Sequence, residues 1–181
     1  MLLLIRLFLL LVLTLGAAPV AVSQTLSDIE ARLVEKYPRV QVIAPDELTR
    51  EIARSGDFLL LDVRTQAEFR VSHIAGAIRV DPQASAKSIA ALSKEQGSPE
   101  MVVLYCSVGY RSTRMANRLQ KILPPDSDVQ LYNLSGGVFL WHNQNQPLED
   151  DLGPTEYMHP YDAAHESLLK RKAYIATKPP G

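Results

Sequence analysis

The chain has 181 residues, 46% of them hydrophobic and 22% charged, with a formal net charge of -1. That length suits one domain with extensions, and the apolar fraction is enough for a packed core. The balanced charge lacks the basic surplus of a nucleic-acid binder, so no nucleic-acid partner is expected.

The N-terminus differs in kind from the rest. Met1–Ile5 and Leu7–Leu15 are almost wholly apolar around Arg6, and the small residues Gly16, Ala17, Ala18 and Ala21-Val22-Ser23 follow. This is the order of a secretory signal peptide over residues 1–23, with a cut after Ser23. The alternative is an uncleaved anchor. Its apolar stretch, Leu7–Val22, has 16 residues broken by Gly16 and Pro19, short of the roughly 20 that cross a bilayer as a helix. The expected location is therefore periplasmic or secreted, with no stable membrane partner.

Residues 24–39 read as a helical extension: Leu26, Ile29, Leu33 and Val34 recur at helical spacing before Pro38. Val40–Ala44 alternates like a strand, and Pro45–Ala53 reads as a helix opened by proline and two acids. Phe58–Val63 is a continuous apolar strand with Asp62 near its end. Thr65–Ser72 is a short helix in which Thr65 and Glu68 have the spacing of a capping box. Ile78–Val80 is a strand, Ala84–Gln96 a helix and Met101–Tyr105 a strand. Arg111–Leu123 is a helix halted by Pro124-Pro125, Val129–Leu134 a strand, and Gly136-Gly137 opens a last helix. Strands alternate with helices, and two strands are apolar throughout. That predicts an α/β fold with a parallel five-stranded sheet and helices on both faces. Residues 149–181 read as a tail, with Glu149-Asp150-Asp151 solvated and a helix over His165–Tyr174 that carries Lys170-Arg171-Lys172 near its end.

Functional residues in such sheets gather at the carboxyl ends of the strands. Asp62 and Cys106 both fall there. Cys106, the single cysteine, ends an apolar strand and precedes a glycine loop and a helix. Free N–H groups and the helix dipole at that junction favour negative charge, and the thiolate is the reactive form of cysteine. A lone cysteine in an exported chain is buried and inert, paired with another molecule, or kept for chemistry.

Three segments, in order, resemble the rhodanese (thiosulfate sulfurtransferase) family in its single-domain form. They are Leu61-Asp62-Val63-Arg64 with Glu68-Phe69 and His73–Ile78; Tyr105-Cys106-Ser107-Val108-Gly109-Tyr110-Arg111-Ser112; and Asn133–Trp141 with its Gly136-Gly137 pair. The resemblance covers residues 40–148, and His159-Pro160-Tyr161 is similar to a tail of some exported members. It implies a rhodanese-like fold and transfer of a sulfane sulfur through a persulfide on Cys106. A small anionic donor such as thiosulfate would supply the sulfur, and a thiol or cyanide would accept it. Arg111 would neutralise the donor. Ser107, Val108, Gly109, Tyr110 and Ser112 would line the site, with backbone N–H groups cradling the sulfur. No cofactor is implied, and His73, His142, His159 and His165 lack metal-ligand spacing, so no metal is expected.

His73, Asp62 and Arg64 read as structural. Arg114, Arg118 and Lys121 extend a basic stripe from Arg111 that reads as a solvated face. Two other functions compete. A cysteine phosphatase places five residues between cysteine and arginine, whereas four intervene here. A non-catalytic exported binding module could keep the same fold.

Overall fold

The computed structural model describes residues 24–54, 56–124 and 127–179. The signal-peptide reading of residues 1–23 lies outside the described residues, as does the Pro125 half of the expected helix stop. Five parallel strands form one sheet in the order β1-β5-β4-β2-β3: β1 Gln41–Ile43, β2 Phe58–Asp62, β3 Ile78–Arg79, β4 Met101–Tyr105 and β5 Gln130–Leu134. The helices are α1 Leu26–Lys36, α2 Pro45–Ala53, α3 Gln66–Val71, α4 Ala86–Glu95, α5 Tyr110–Gln120 and α6 Gly137–Asn143.

The central strands alternate between two cores, as the period of two requires. Leu59, Leu61, Val102 and Leu104 face α4 and α5, meeting Ile89, Met115 and Leu119. Leu60, Val103 and Tyr105 face the opposite side, where Ile29 and Leu33 of α1, Leu48 of α2 and Phe139 and Trp141 of α6 complete a second core. Both faces of the sheet are thus covered, so its strands read as continuous apolar runs. β4 is central, paired in register with β2 (Leu61 opposite Leu104) and β5 (Leu104 opposite Asn133). Its carboxyl end therefore lies in the middle of the site edge.

Helix α5 stops at Gln120, before the prolines. The residue preceding a proline disfavours the helical region, and the chain tightens first, with the Ile122 and Leu123 N–H groups both reaching the Leu119 carbonyl. The tail departs further from expectation. Glu149-Asp150-Asp151 is not simply a solvated run: β6 (Leu148–Asp150) pairs with β7 (Gly153–Thr155), and the backbone of Glu149 bridges to His73. The helix expected over His165–Tyr174 is instead a short α7 (Ala163–Glu166) capped by Asp162 and a 3-10 turn at Lys172–Tyr174. Tertiary contacts override the helical pattern. Leu169 is buried, Asn143 bonds to the backbone of Leu168 and Lys170, and Met158 pairs with Tyr174.

Candidate active site

Cys106 follows β4 directly and is 1% exposed. The chain turns back over its sulfur and enters α5 through Gly109, whose φ of +101° suits a residue without a Cβ. The Gly109 N–H donates to Cys106 Sγ at 3.2 Å. The next N–H groups, at Tyr110, Arg111 and Ser112, open α5 and have no earlier carbonyl within the helix to bond.

The loop carbonyls are held from the other side. Val138 N–H donates to the Cys106 carbonyl at 2.9 Å and Phe139 N–H to the Ser107 carbonyl at 3.0 Å. This brings the start of α6 into van der Waals contact with the loop. At Gly137, with φ +59°, an added Cβ would lie 2.4 Å from the Cys106 carbonyl oxygen. The glycine pair expected to open the last helix therefore has a second role: Gly137 lets that helix start dock on the cysteine loop. Behind it, Glu30 of α1 accepts from the Ser135 hydroxyl and from Gly136 N–H.

Arg111 Nη1 and Nη2 donate to the two oxygens of Glu68, at 2.8 and 2.7 Å. The Ser107 hydroxyl donates to Glu68 at 2.7 Å and accepts from Arg111 Nη2 at 2.9 Å. Burial opposes the charge on Glu68, but the bonds from Arg111, Ser107 and Thr65 outweigh it and lower its pKa to about 2. Burial likewise opposes the charge on Arg111, and its bonds to Glu68, with the adjacent Cys106 sulfur, hold the guanidinium above its ordinary range. The capping box of α3 thus doubles as the strut of the loop: Thr65 caps the helix, and the same Glu68 carboxylate reaches Arg111.

The remaining loop residues separate by role. Val108 is buried in the core. The Ser112 hydroxyl donates to Asn133 Oδ1 at 2.6 Å, tying the first turn of α5 to β5. Tyr110 is 36% exposed. Asp62 and Arg64 form a fully buried ion pair at 2.6 Å, and Arg64 also donates to the Ser72 carbonyl, bracing the end of β2. His73 stacks on Phe69 and its Nδ1 lies 3.1 Å from the Phe69 carbonyl, a structural placement.

Glu68 and Tyr161 were not singled out for the site by sequence reasoning. Glu68 carried a capping signal and a place in the first resemblance segment, neither of which points to Arg111. Tyr161 places its ring 4.7 Å from the Arg111 guanidinium, a cation–π contact from a tail that wraps back across the domain. His159, held below its ordinary pKa by burial, lies within the field of Glu68, Arg64 and Arg111.

This geometry belongs to a recognisable class. The rhodanese-like domain family matches residues 44–144, more than half of the chain, and the chain belongs to that family. An uncharacterised protein, YibN, of Escherichia coli strain K12 is 33% identical over 111 residues, covering 61% of this chain and 73% of its own. A protein named sulfurtransferase from Allochromatium vinosum is 27% identical over 109 residues, covering 60% of this chain and 94% of its own. Among solved structures, a thiosulfate sulfurtransferase from Pseudomonas aeruginosa superposes with a TM-score of 0.52 at 21% identity, over 69% of this chain and 23% of that one. That likeness concerns the fold. Together they define a rhodanese domain with a sulfurtransferase-type fold.

Proposed function

We propose that the protein is a sulfurtransferase that carries sulfane sulfur on Cys106. The observation that carries this reading is the loop itself, with Gly109 N–H on the sulfur while α6 holds the Cys106 and Ser107 carbonyls. The thiolate attacks the outer sulfur of a small anionic donor such as thiosulfate. The donor's S–S bond breaks, sulfite leaves with the electron pair, and Cys106 is left as a persulfide. A thiol or cyanide then attacks the outer sulfur, and the pair returns to Cys106. No general base is needed when the nucleophile is already a thiolate. Oriented N–H groups stabilise the anions at both steps.

Arg111 is committed to Glu68, so its contribution to donor binding is that of a partly compensated charge at the loop. Four residues separate Cys106 from Arg111, and this shorter loop fits a sulfur-sized group better than a phosphate.

Intact-mass measurement with and without thiosulfate tests the proposal. The expected result is a gain of one sulfur atom, removed by cyanide as thiocyanate and absent from Cys106→Ser. A folded protein that never takes up sulfur supports a binding module instead.

A further inference from the structure

Two clefts adjoin the catalytic loop. One, of about 440 Å³, is lined by Arg111, Arg114, Arg118 and Tyr161. The other, of about 410 Å³, is lined by Arg32, Lys36 and Tyr110. Both include Tyr37 and Arg114, so they adjoin across these two side chains as one grooved face. Among the described residues, no aspartate or glutamate lines either cleft. In a chain with 20 acidic and 19 basic residues, that is a strong local segregation of charge.

The charges differ in how far they are compensated. Arg111 is paired with Glu68. Asp28 acts on Arg32 but is itself bonded to the cap Thr25. Arg118 contacts the Ala84 carbonyl and the Met115 sulfur, neither of which carries charge. Arg114 is exposed and has no ion-pair partner among the described residues. Lys36 likewise has no ion-pair partner among the described residues and lies over the Tyr37 ring, so the uncompensated charges are Arg114 and Arg118 on α5 and Lys36 on α1.

We infer that this groove docks an acidic, cysteine-bearing segment of a partner protein and presents its thiol to the sulfur on Cys106. The inference rests on the sulfurtransferase reading above. Arg111, Arg114 and Arg118 stand three and four residues apart along one face of α5, a span of roughly 10 Å. An extended polypeptide covers that distance in about three residues. Arg32 and Lys36 of α1 continue the track. A donor the size of thiosulfate engages only the loop end, so the remaining length fits an oligomeric anion. The three tyrosine rings provide contact area for peptide side chains. A nucleic acid would match the charge but brings no thiol to the site.

In the transfer, the partner's cysteine thiolate attacks the outer sulfur of the Cys106 persulfide. The S–S bond breaks with its electron pair on Cys106, a new S–S bond forms on the partner, and the partner's thiol proton goes to solvent. No external oxidant or reductant enters.

The test uses pre-persulfidated protein and two peptide acceptors, each an N-terminal cysteine and a glycine followed by four glutamates or by four glutamines. At low ionic strength the acidic peptide should show kcat/KM about tenfold higher than the neutral one, falling as salt is added. Arg114→Glu with Arg118→Glu should bring that ratio to about one or below, because the field then repels the acid. Arg114→Gln, which leaves the Arg118 contacts in place, should lower it partway. A ratio near one in the wild type, with sulfur passing normally to cyanide, overturns the groove and leaves the enzyme reading intact. Fluorescence anisotropy of a labelled peptide with serine in place of cysteine reads docking without sulfur chemistry. If that peptide binds and loses affinity in the charge-reversed variant while no sulfur transfers, the groove stands and the enzyme reading falls. Displacement of the peptide by a short oligothymidylate of equal charge at the same concentration overturns a polypeptide occupant.

Discussion

Replacing Glu68 with Gln keeps the shape of the side chain and removes its charge. In the folded protein this carboxylate accepts from both Arg111 nitrogens, from the Ser107 hydroxyl and from Thr65. Burial pushes its pKa up, and those bonds more than offset it, moving it from an ordinary 4.5 to about 2. A carboxylate depressed by folding contributes stability that is fully present above the unfolded pKa and is lost as pH falls toward the folded one. Integrating that shift, the wild type loses about 2 kcal/mol through this group between about pH 7 and about pH 3. At neutral pH, Glu68→Gln leaves Arg111, itself only 14% exposed, without its counter-charge. Breaking a buried pair costs about 3 kcal/mol or more. Urea unfolding of both proteins at the two pH values should show the gap narrow from about 3 to about 1 kcal/mol. Histidines with depressed pKa values also weaken the fold in acid, but they do so in both proteins and cancel in the difference. Curves that stay parallel across the range would refute the assignment of Glu68 as an ionised strut.

Arg111→Ala should destabilise the protein by about 3 kcal/mol, because it strands a buried carboxylate, and should lower turnover with thiosulfate; urea midpoints and steady-state kinetics read the two effects. Gly137→Ala forces a Cβ to 2.4 Å from the Cys106 carbonyl oxygen. It should cost upwards of about 1–3 kcal/mol and reduce sulfur uptake, measured by denaturant unfolding and intact mass. His142 is kept neutral, its pKa lowered first by burial, with Nε2 on the Glu156 carbonyl. Its share of stability is present above the unfolded value of 6.5 and is lost below it, so thermal unfolding of His142→Gln should depend less on pH across that window than the wild type does. We propose export on the residue order from Met1 to Ser23: N-terminal sequencing of protein recovered outside the cytoplasm should find Gln24 first, and recovery of intact Met1 in membranes would favour an anchor.

The sheet was legible because both faces of β2 and β4 are buried, so each strand prints as an unbroken apolar run. The Thr65–Glu68 box was legible because capping is local. What sequence could not show is that the same Glu68 turns inward to Arg111, 43 positions away. A capping signal specifies which backbone groups are satisfied and leaves the other carboxylate oxygen free to pair elsewhere. The tail was misread for a related reason. Helical spacing near His165 is real, but Leu169 gains more by entering the core and Asn143 holds the neighbouring backbone in place. Arg111 was legible as a charge at the loop, while its part in stability was not, since an arginine at a helix start reads as exposed until its buried partner is known.

That pairing changes which parts of the loop supply the electrostatics. An unpaired Arg111 would place a full positive charge beside the sulfur. Paired with Glu68 and sharing the Ser107 hydroxyl, it adds little net charge and mainly fixes the loop's shape. In the proposed transfer, stabilisation of negative charge on the sulfur and on a departing anion then falls to oriented backbone dipoles, beginning with Gly109 N–H. Such dipoles do not titrate and need no reorganisation when charge develops. Their orientation depends on the carbonyls that Val138 and Phe139 hold from behind, and that contact depends on Gly137. The geometry of the Cys106 loop, and with it the chemistry proposed there, therefore depends on two elements far from it in sequence: α3, which holds the arginine, and the start of α6, which holds the loop. Attraction of a larger anionic partner is a separate task, and the uncompensated charges along α5, at Arg114 and Arg118, stand where they can perform it without disturbing the loop.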